Sequence, residues 1–97
     1  MSESYIDFTP RAKRYLKKIK DQRLKDEFIA AFETIRIDHT IGQAKRGDLA
    51  GVYCYDLRYE SVSYEIAYRV VQADRTVVVV ILAGTRENFY EELKRLL

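Results

Sequence analysis

Two arginines and a tyrosine in the second half of the chain, Arg69, Arg86 and Tyr90, have the side-chain types suited to handling a phosphodiester. A guanidinium is planar and always charged, and it can meet two phosphate oxygens at once. Arg69 falls in an alternating stretch with Ser63, Glu65 and Ala67 on its own face, so it can face a ligand or pair with Glu65 on that same side of the strand. Arg86 is expected in the first turn of a terminal helix, where unpaired backbone N–H groups also attract anions. Tyr90 follows by four residues, one helical turn, which would put the two on one face. Tyr90 is equally placed to be a core residue beside Phe89 and Leu93. An arginine at the positive end of a helix breaks a local preference, and such departures collect at functional sites.

The rest of the chain narrows the chemistry. One histidine, His39, and one cysteine, Cys54, exclude a His pair and a zinc-type ligand cluster. No metal and no cofactor are therefore expected. Cys54 reads as a small buried hydrophobe, and its solitude excludes an internal disulfide. Tyr53, Tyr55, Tyr59, Tyr64 and Tyr68 could stack on bases, but their period-two spacing points to sheet packing. Arg11, Lys13, Arg14, Lys17, Lys18, Lys20, Arg23 and Lys25 crowd the first third, and between Arg11 and Lys25 only Asp21 relieves them. Such a face can follow a phosphate backbone, meet an acidic protein, or simply be solvated.

Elements to position these residues can be read from periodicity. Thr9-Pro10 opens a first helix over 10–19, with Ala12, Tyr15, Leu16 and Ile19 as its apolar stripe. Asp21 can cap a second helix carrying Leu24, Phe28, Ala31, Phe32 and Ile35, and two such stripes fold most simply into an antiparallel hairpin on a common surface. From Asp38 to Gly51 the pattern is lost. Strands follow over 52–57, 62–71 and 76–83, with a hairpin loop at Arg58 to Ser61 and a turn at Ala73-Asp74-Arg75. Thr85 can cap a final helix, and Tyr5 to Phe8 can add an edge strand. The expected order is β-α-α-β-β-β-α in a single domain, 1–97. The 97 residues carry a net charge of +2, too small to decide anything by itself. There is no apolar run long enough to span a membrane and no secretory leader, so cytosolic residence is the default.

This order, together with Asp48-Leu-Ala-Gly-Val-Tyr, Tyr68-Arg-Val-Val and Leu82-Ala-Gly-Thr-Arg-Glu-Asn-Phe-Tyr, resembles the RelE/ParE superfamily of type II toxins over nearly the full length. The resemblance implies an α+β fold: an N-terminal helical hairpin packed on a twisted antiparallel sheet of three to four strands, with a C-terminal helix. It implies either metal-independent cleavage of mRNA, commonly in the ribosomal A site, or poisoning of DNA gyrase as in ParE-like members. A degenerate member kept as a binding module is a third class. A cognate antitoxin is the implied partner in every case.

Metal-free cleavage makes the 2′-hydroxyl attack the adjacent phosphate, so a site must remove a proton, stabilise a dianionic phosphorane and protonate the leaving oxygen. By the family's pattern Arg69 and Arg86 match phosphate-binding arginines, and Tyr90 an aromatic that stacks on a base or donates a proton. Lys45, Arg46 and Arg58 are the further expected RNA contacts. Many RelE-like nucleases carry lysines on the strand matching 52–57, and here it reads Val-Tyr-Cys-Tyr-Asp-Leu. A general base would then come from Glu65, Asp56, His39 or Lys45.

Overall fold

The computed structural model describes residues 4–97; the first three residues, on which the expected lack of a leader partly rests, lie outside them. Strand β1 (Ser4–Phe8) leads into helices α1 (Pro10–Lys18) and α2 (Gln22–Ile37). A loop with two short 3-10 turns and the two-residue strand β2 (Gln43–Ala44) follows. Strands β3 (Tyr53–Tyr59), β4 (Val62–Gln72) and β5 (Thr76–Thr85) then run to helix α3 (Phe89–Leu96).

Each helix start has a local cause. Thr9 keeps extended backbone angles, and its Oγ1 accepts the Ala12 N–H at 3.2 Å while donating to the Ile81 carbonyl at 2.7 Å. One side chain thus starts α1 and ties it to β5. Asp21 starts α2 by accepting from the N–H groups of Arg23 and Leu24, and its other oxygen accepts from the Tyr59 hydroxyl at 3.0 Å. The predicted stripe of α2, Leu24, Phe28, Ala31, Phe32 and Ile35, is buried at every position.

The sheet has five strands in the order β1-β5-β4-β3-β2. It is wider than the three to four antiparallel strands expected, because β2 adds a short edge beside β3, and the expected edge strand β1 departs from the antiparallel pattern. β1 runs parallel to β5, with Ile6 opposite Val78. The helical hairpin supplies the crossover that a parallel neighbour requires. At the opposite hairpin, Glu60 and Ser61 both take positive φ, 46° and 67°, which makes a two-residue turn. β3 consequently continues through Tyr59, and Arg58 lies inside the strand instead of in a loop. Glu-Ser carries none of the Asn-Gly signal that marks such turns, so the shorter strand was the natural reading.

The sheet separates two apolar cores. On the hairpin side Phe28, Ile35, Ile66, Tyr68, Val78 and Val80 are buried, with Tyr53, Tyr55, Tyr59 and Tyr64 packed against them. The tyrosines therefore pack the sheet, as their period-two spacing indicates. On the α3 side Val52, Cys54, Ala67, Ile81, Leu82, Phe89 and Leu93 close a smaller core. A β-bulge feeds it: Ala67 pairs with Leu82 but Tyr68 with Val80, so Ile81 is an extra residue and joins Leu82 in that core.

Tyr68 anchors the loop after α2. Its hydroxyl donates to the His39 carbonyl at 2.7 Å and accepts the Gly42 N–H at 2.9 Å. A Cβ at Gly42 would stand 2.3 Å from that oxygen, so only glycine admits the approach. Tyr68→Phe should leave both backbone groups without this partner and cost about 1–3 kcal/mol in urea-induced unfolding, with the loop from His39 to Gly42 losing amide-exchange protection first.

Candidate active site

Side chains on β4 alternate between the two cores, and Ser63, Glu65, Ala67 and Arg69 take the α3 side. Strand register supplies their neighbours: Arg58 faces Ser63, Asp56 faces Glu65, and Cys54 faces Ala67 across the β3–β4 pair. On the β5 side Gly84 faces Glu65, and the Arg86 N–H donates to the Ser63 carbonyl at 3.0 Å, carrying the ladder one residue past β5. Arg58, Ser63 and Arg86 thus form one row across the sheet. Asp56, Glu65 and Gly84 form the next.

Glu65 is the chemical centre of this face. It is 1% exposed, and its Oε1 accepts the Tyr90 hydroxyl at 2.8 Å. Oε2 is buried without a hydrogen-bond partner. Burial lifts the Glu65 carboxyl above its ordinary range, Asp56 adds to the lift, and the Tyr90 hydrogen bond and the Arg86 charge offset part of it. Burial and the same carboxyl hold the Tyr90 phenol well above its usual value, so it stays protonated. The Lys45 Nζ sits 4.8 Å from the centroid of the Tyr90 ring, a cation–π contact that caps the ring. Cys54, beneath, is pushed up to about 11 by burial and is no thiolate at neutral pH.

Several expectations change. Arg86 does not lie in the first turn of the terminal helix: β5 runs to Thr85, Asn88 with φ 59° precedes α3, and Arg86 is in the connection between them. The longer pairing with β4 takes Thr85 into the sheet, where it faces Tyr64 and starts no helix. Arg86 nevertheless stays close enough for its charge to act on the Glu65 carboxyl to which Tyr90 is bonded. Tyr90 belongs both to the fringe of the α3-side core, with Phe89 edge-on at 5.6 Å, and to the site.

Arg69 shares the face but not the cluster. It lies four residues beyond Glu65, about 13 Å along a strand, with Cys54, Ala67 and Leu82 packed under Leu93 between the two arginines. Among the described residues no ion pair joins Arg69 to Glu65. Its guanidinium stands beside Gly51, 3.9 Å from where a Cβ would be. The two guanidinium groups therefore flank a long face and do not converge in one pocket. Lys45 comes to the cluster over the Tyr90 ring and Arg58 lies on the same face one row away, whereas Arg46 is exposed in the loop and His39 is held on the hairpin side through Tyr68. Among the described residues no group of three or more His, Cys, Asp or Glu side chains could hold a metal ion, and no helix is long and apolar enough to cross a membrane.

A family model of ParE-like toxins of type II bacterial toxin-antitoxin systems matches residues 6–94. The chain belongs to this toxin family. No curated protein sequence matches it. Among solved structures, a free, arginine-substituted mutant of the Escherichia coli toxin RelE is 24% identical with both chains fully covered and a TM-score of 0.71. The RelBE2 toxin-antitoxin complex of Mycobacterium tuberculosis matches at 26% identity, with 89% of this chain and 94% of that one covered and a TM-score of 0.67. The E. coli RelE mutant bound to a RelB peptide matches at 28% over both full chains, with a TM-score of 0.56. The toxin shares the RelE fold, including the C-terminal helix, and is a RelE/ParE-type toxin.

In this toxin the residue that sequence reasoning undervalued is Asp56, whose cross-strand position depends on the β3–β4 register. The signal was the alternation Cys54, Asp56, Arg58 against Ser63, Glu65, Ala67, legible only once the two-residue turn is known. The raised Glu65 carboxyl has a consequence for stability. Above the ordinary value of 4.5 the folded toxin binds more protons than the unfolded chain, so stability present at low pH is lost as pH rises through the folded value. Denaturant titrations across pH should show that decline, and Glu65→Gln, which has no carboxyl to ionise, should abolish it.

Proposed function

We propose that this toxin is a metal-independent endoribonuclease that stops translation by cutting mRNA in the cytosol, and that a cognate antitoxin holds it inactive. The observation that carries the reading is the Tyr90 hydroxyl held by the buried Glu65, whose carboxyl is raised above its ordinary range, with the Arg86 charge acting on it and Lys45 over the ring. Arg86 and Arg58 flank Ser63 on one row, spaced to embrace a phosphate whose charge grows in the phosphorane. Tyr90 is the group that meets the reacting oxygen, and Glu65, fully buried, acts through it. Arg69, farther along the same face, would grip a neighbouring phosphate and so set the direction of the strand. The antitoxin assignment is supported by the relatives, which are seen bound to antitoxin partners as RelBE complexes or with a RelB peptide.

A second reading, inhibition of DNA gyrase by binding, is favoured by one observation. β3 presents Cys54 and Asp56 to the site and no lysine, so the strand contributes no cation there except Arg58.

Induced expression followed by sequencing of RNA 5′ ends separates the two. Endonucleolytic 5′ ends within coding regions should accumulate, and Arg86→Ala, at an exposed position, should fold normally and lower cleavage by about 100-fold or more. Intact transcripts in arrested cells, with gyrase supercoiling blocked by the purified toxin, would replace the first reading with the second.

A further inference from the structure

Glu65 has two oxygens and one partner. Oε1 accepts from Tyr90, while Oε2 is buried with nothing bonded to it. Directly across the strand pair, on the same face, is the exposed carboxyl of Asp56. Cross-strand neighbours have Cβ atoms about 4.5–5.5 Å apart. Two carboxylates at that separation resist ionising together, and the proton goes to the one with less water. The other groups facing Glu65 are Cys54 and Arg58 from β3, Arg86 from the connection after β5, and Tyr90 from α3 with Lys45 over its ring. The cations favour an ionised Glu65; burial and Asp56 oppose this and prevail.

We propose that Asp56 and Glu65 hold one proton between them, carried on Glu65 Oε2 and donated to Asp56, and that Asp56 is the terminal acceptor of a proton relay running through Tyr90. The bond to Asp56 satisfies the orphaned oxygen and leaves Oε1 free to accept from the phenol. The relay rests on the nuclease reading above; the shared proton does not.

The relay balances. The substrate 2′-hydroxyl gives its proton to Tyr90 Oη as the phenol passes its own proton to Glu65 Oε1, and the proton on Oε2 moves to Asp56. Three O–H bonds break and three form. The electron pair freed on the 2′-oxygen makes the new bond to phosphorus, the 5′-oxygen leaves with the old one and takes a proton from water, and Asp56 returns its proton to solvent. Because Glu65 is sealed from water, this route explains how a buried carboxyl can serve an exposed reaction. Tyr90 alone touches substrate; Glu65 and Asp56 position and drain its proton.

The test uses the full-length toxin and its Asp56→Asn and Asp56→Glu variants. Carboxyl carbon NMR titration reports Glu65 directly, and cleavage of a model RNA is followed across pH. With asparagine at 56, an amide N–H faces Oε2 and favours the carboxylate, so the Glu65 titration should fall toward the ordinary range. The turnover number should fall about 100-fold with KM little changed and a displaced pH profile, and Asp56→Glu should restore both. A Glu65 titration unmoved by Asp56→Asn overturns the shared proton and the relay with it. A titration that moves while Asp56→Asn cleaves at the unmodified rate overturns the relay and leaves the nuclease reading standing. Absence of cleavage by the unmodified toxin overturns the nuclease reading and the relay, and the titration alone then decides the shared proton.

Discussion

The alternation of side chains along β4 is the constraint from which the rest of the molecule follows. This strand is paired along most of its length on both sides, so its two faces cannot exchange without a bulge. Tyr64, Ile66, Tyr68 and Val70 go to the helical hairpin, which needs them to bury the stripes of α1 and α2. Ser63, Glu65, Ala67 and Arg69 are then committed to the other side, polar or not. A slip of one residue would place Glu65 beneath Phe28 and drive Tyr68 away from the His39–Gly42 loop that it holds. The large core thus enforces the register that assembles the small polar site.

Two devices adjust this plan where a regular sheet would fail. The extra residue Ile81 supplies the α3-side core with two consecutive apolar side chains where Ala67 alone would leave a gap. Its carbonyl is captured by the Thr9 hydroxyl, so the irregularity also fixes the start of α1. The unwound connection from Arg86 to Asn88 lets α3 turn back across the sheet, which brings Tyr90 over Glu65 while keeping the Arg86 backbone bonded to Ser63.

Much of this was legible in the residues. The α2 stripe and Thr9-Pro10 specify their helices without tertiary help, and the change of period after Gly51 announces the sheet. The details that failed are those set by pairing. The Glu60–Ser61 turn has no glycine or asparagine to betray it, so nothing local extends β3 past Leu57 to Arg58. Thr85 is a good helix cap by type, but its partner Tyr64 keeps it in a strand. Arg69 and Glu65 share a face, as alternation requires, yet their distance along the strand prevents an ion pair between them. The parallel sense of β1 depends on where the hairpin returns the chain, which no local pattern encodes. For the site the residue types were visible and their grouping was not, because Asp56 and Glu65 become neighbours only through register.

Glu65 is also the one charged side chain buried among the described residues, and an apolar residue would fill the same place at lower cost. Its neighbours show why the carboxyl is tolerated. Tyr90 gives it a hydrogen bond, Arg86 stands near enough to soften an ionised state, and the low local dielectric strengthens both interactions. The same burial that makes the charge expensive raises the carboxyl above its ordinary range, and a carboxyl that holds its proton more tightly is what the proposed relay through Tyr90 requires. A glutamate at the solvent edge of the sheet would ionise at its ordinary value and could not hold it. The position of Glu65, one row inside that of Arg58 and Arg86 on the same face, therefore joins the cost of the buried acid to the hydrogen bond of the half-buried phenol.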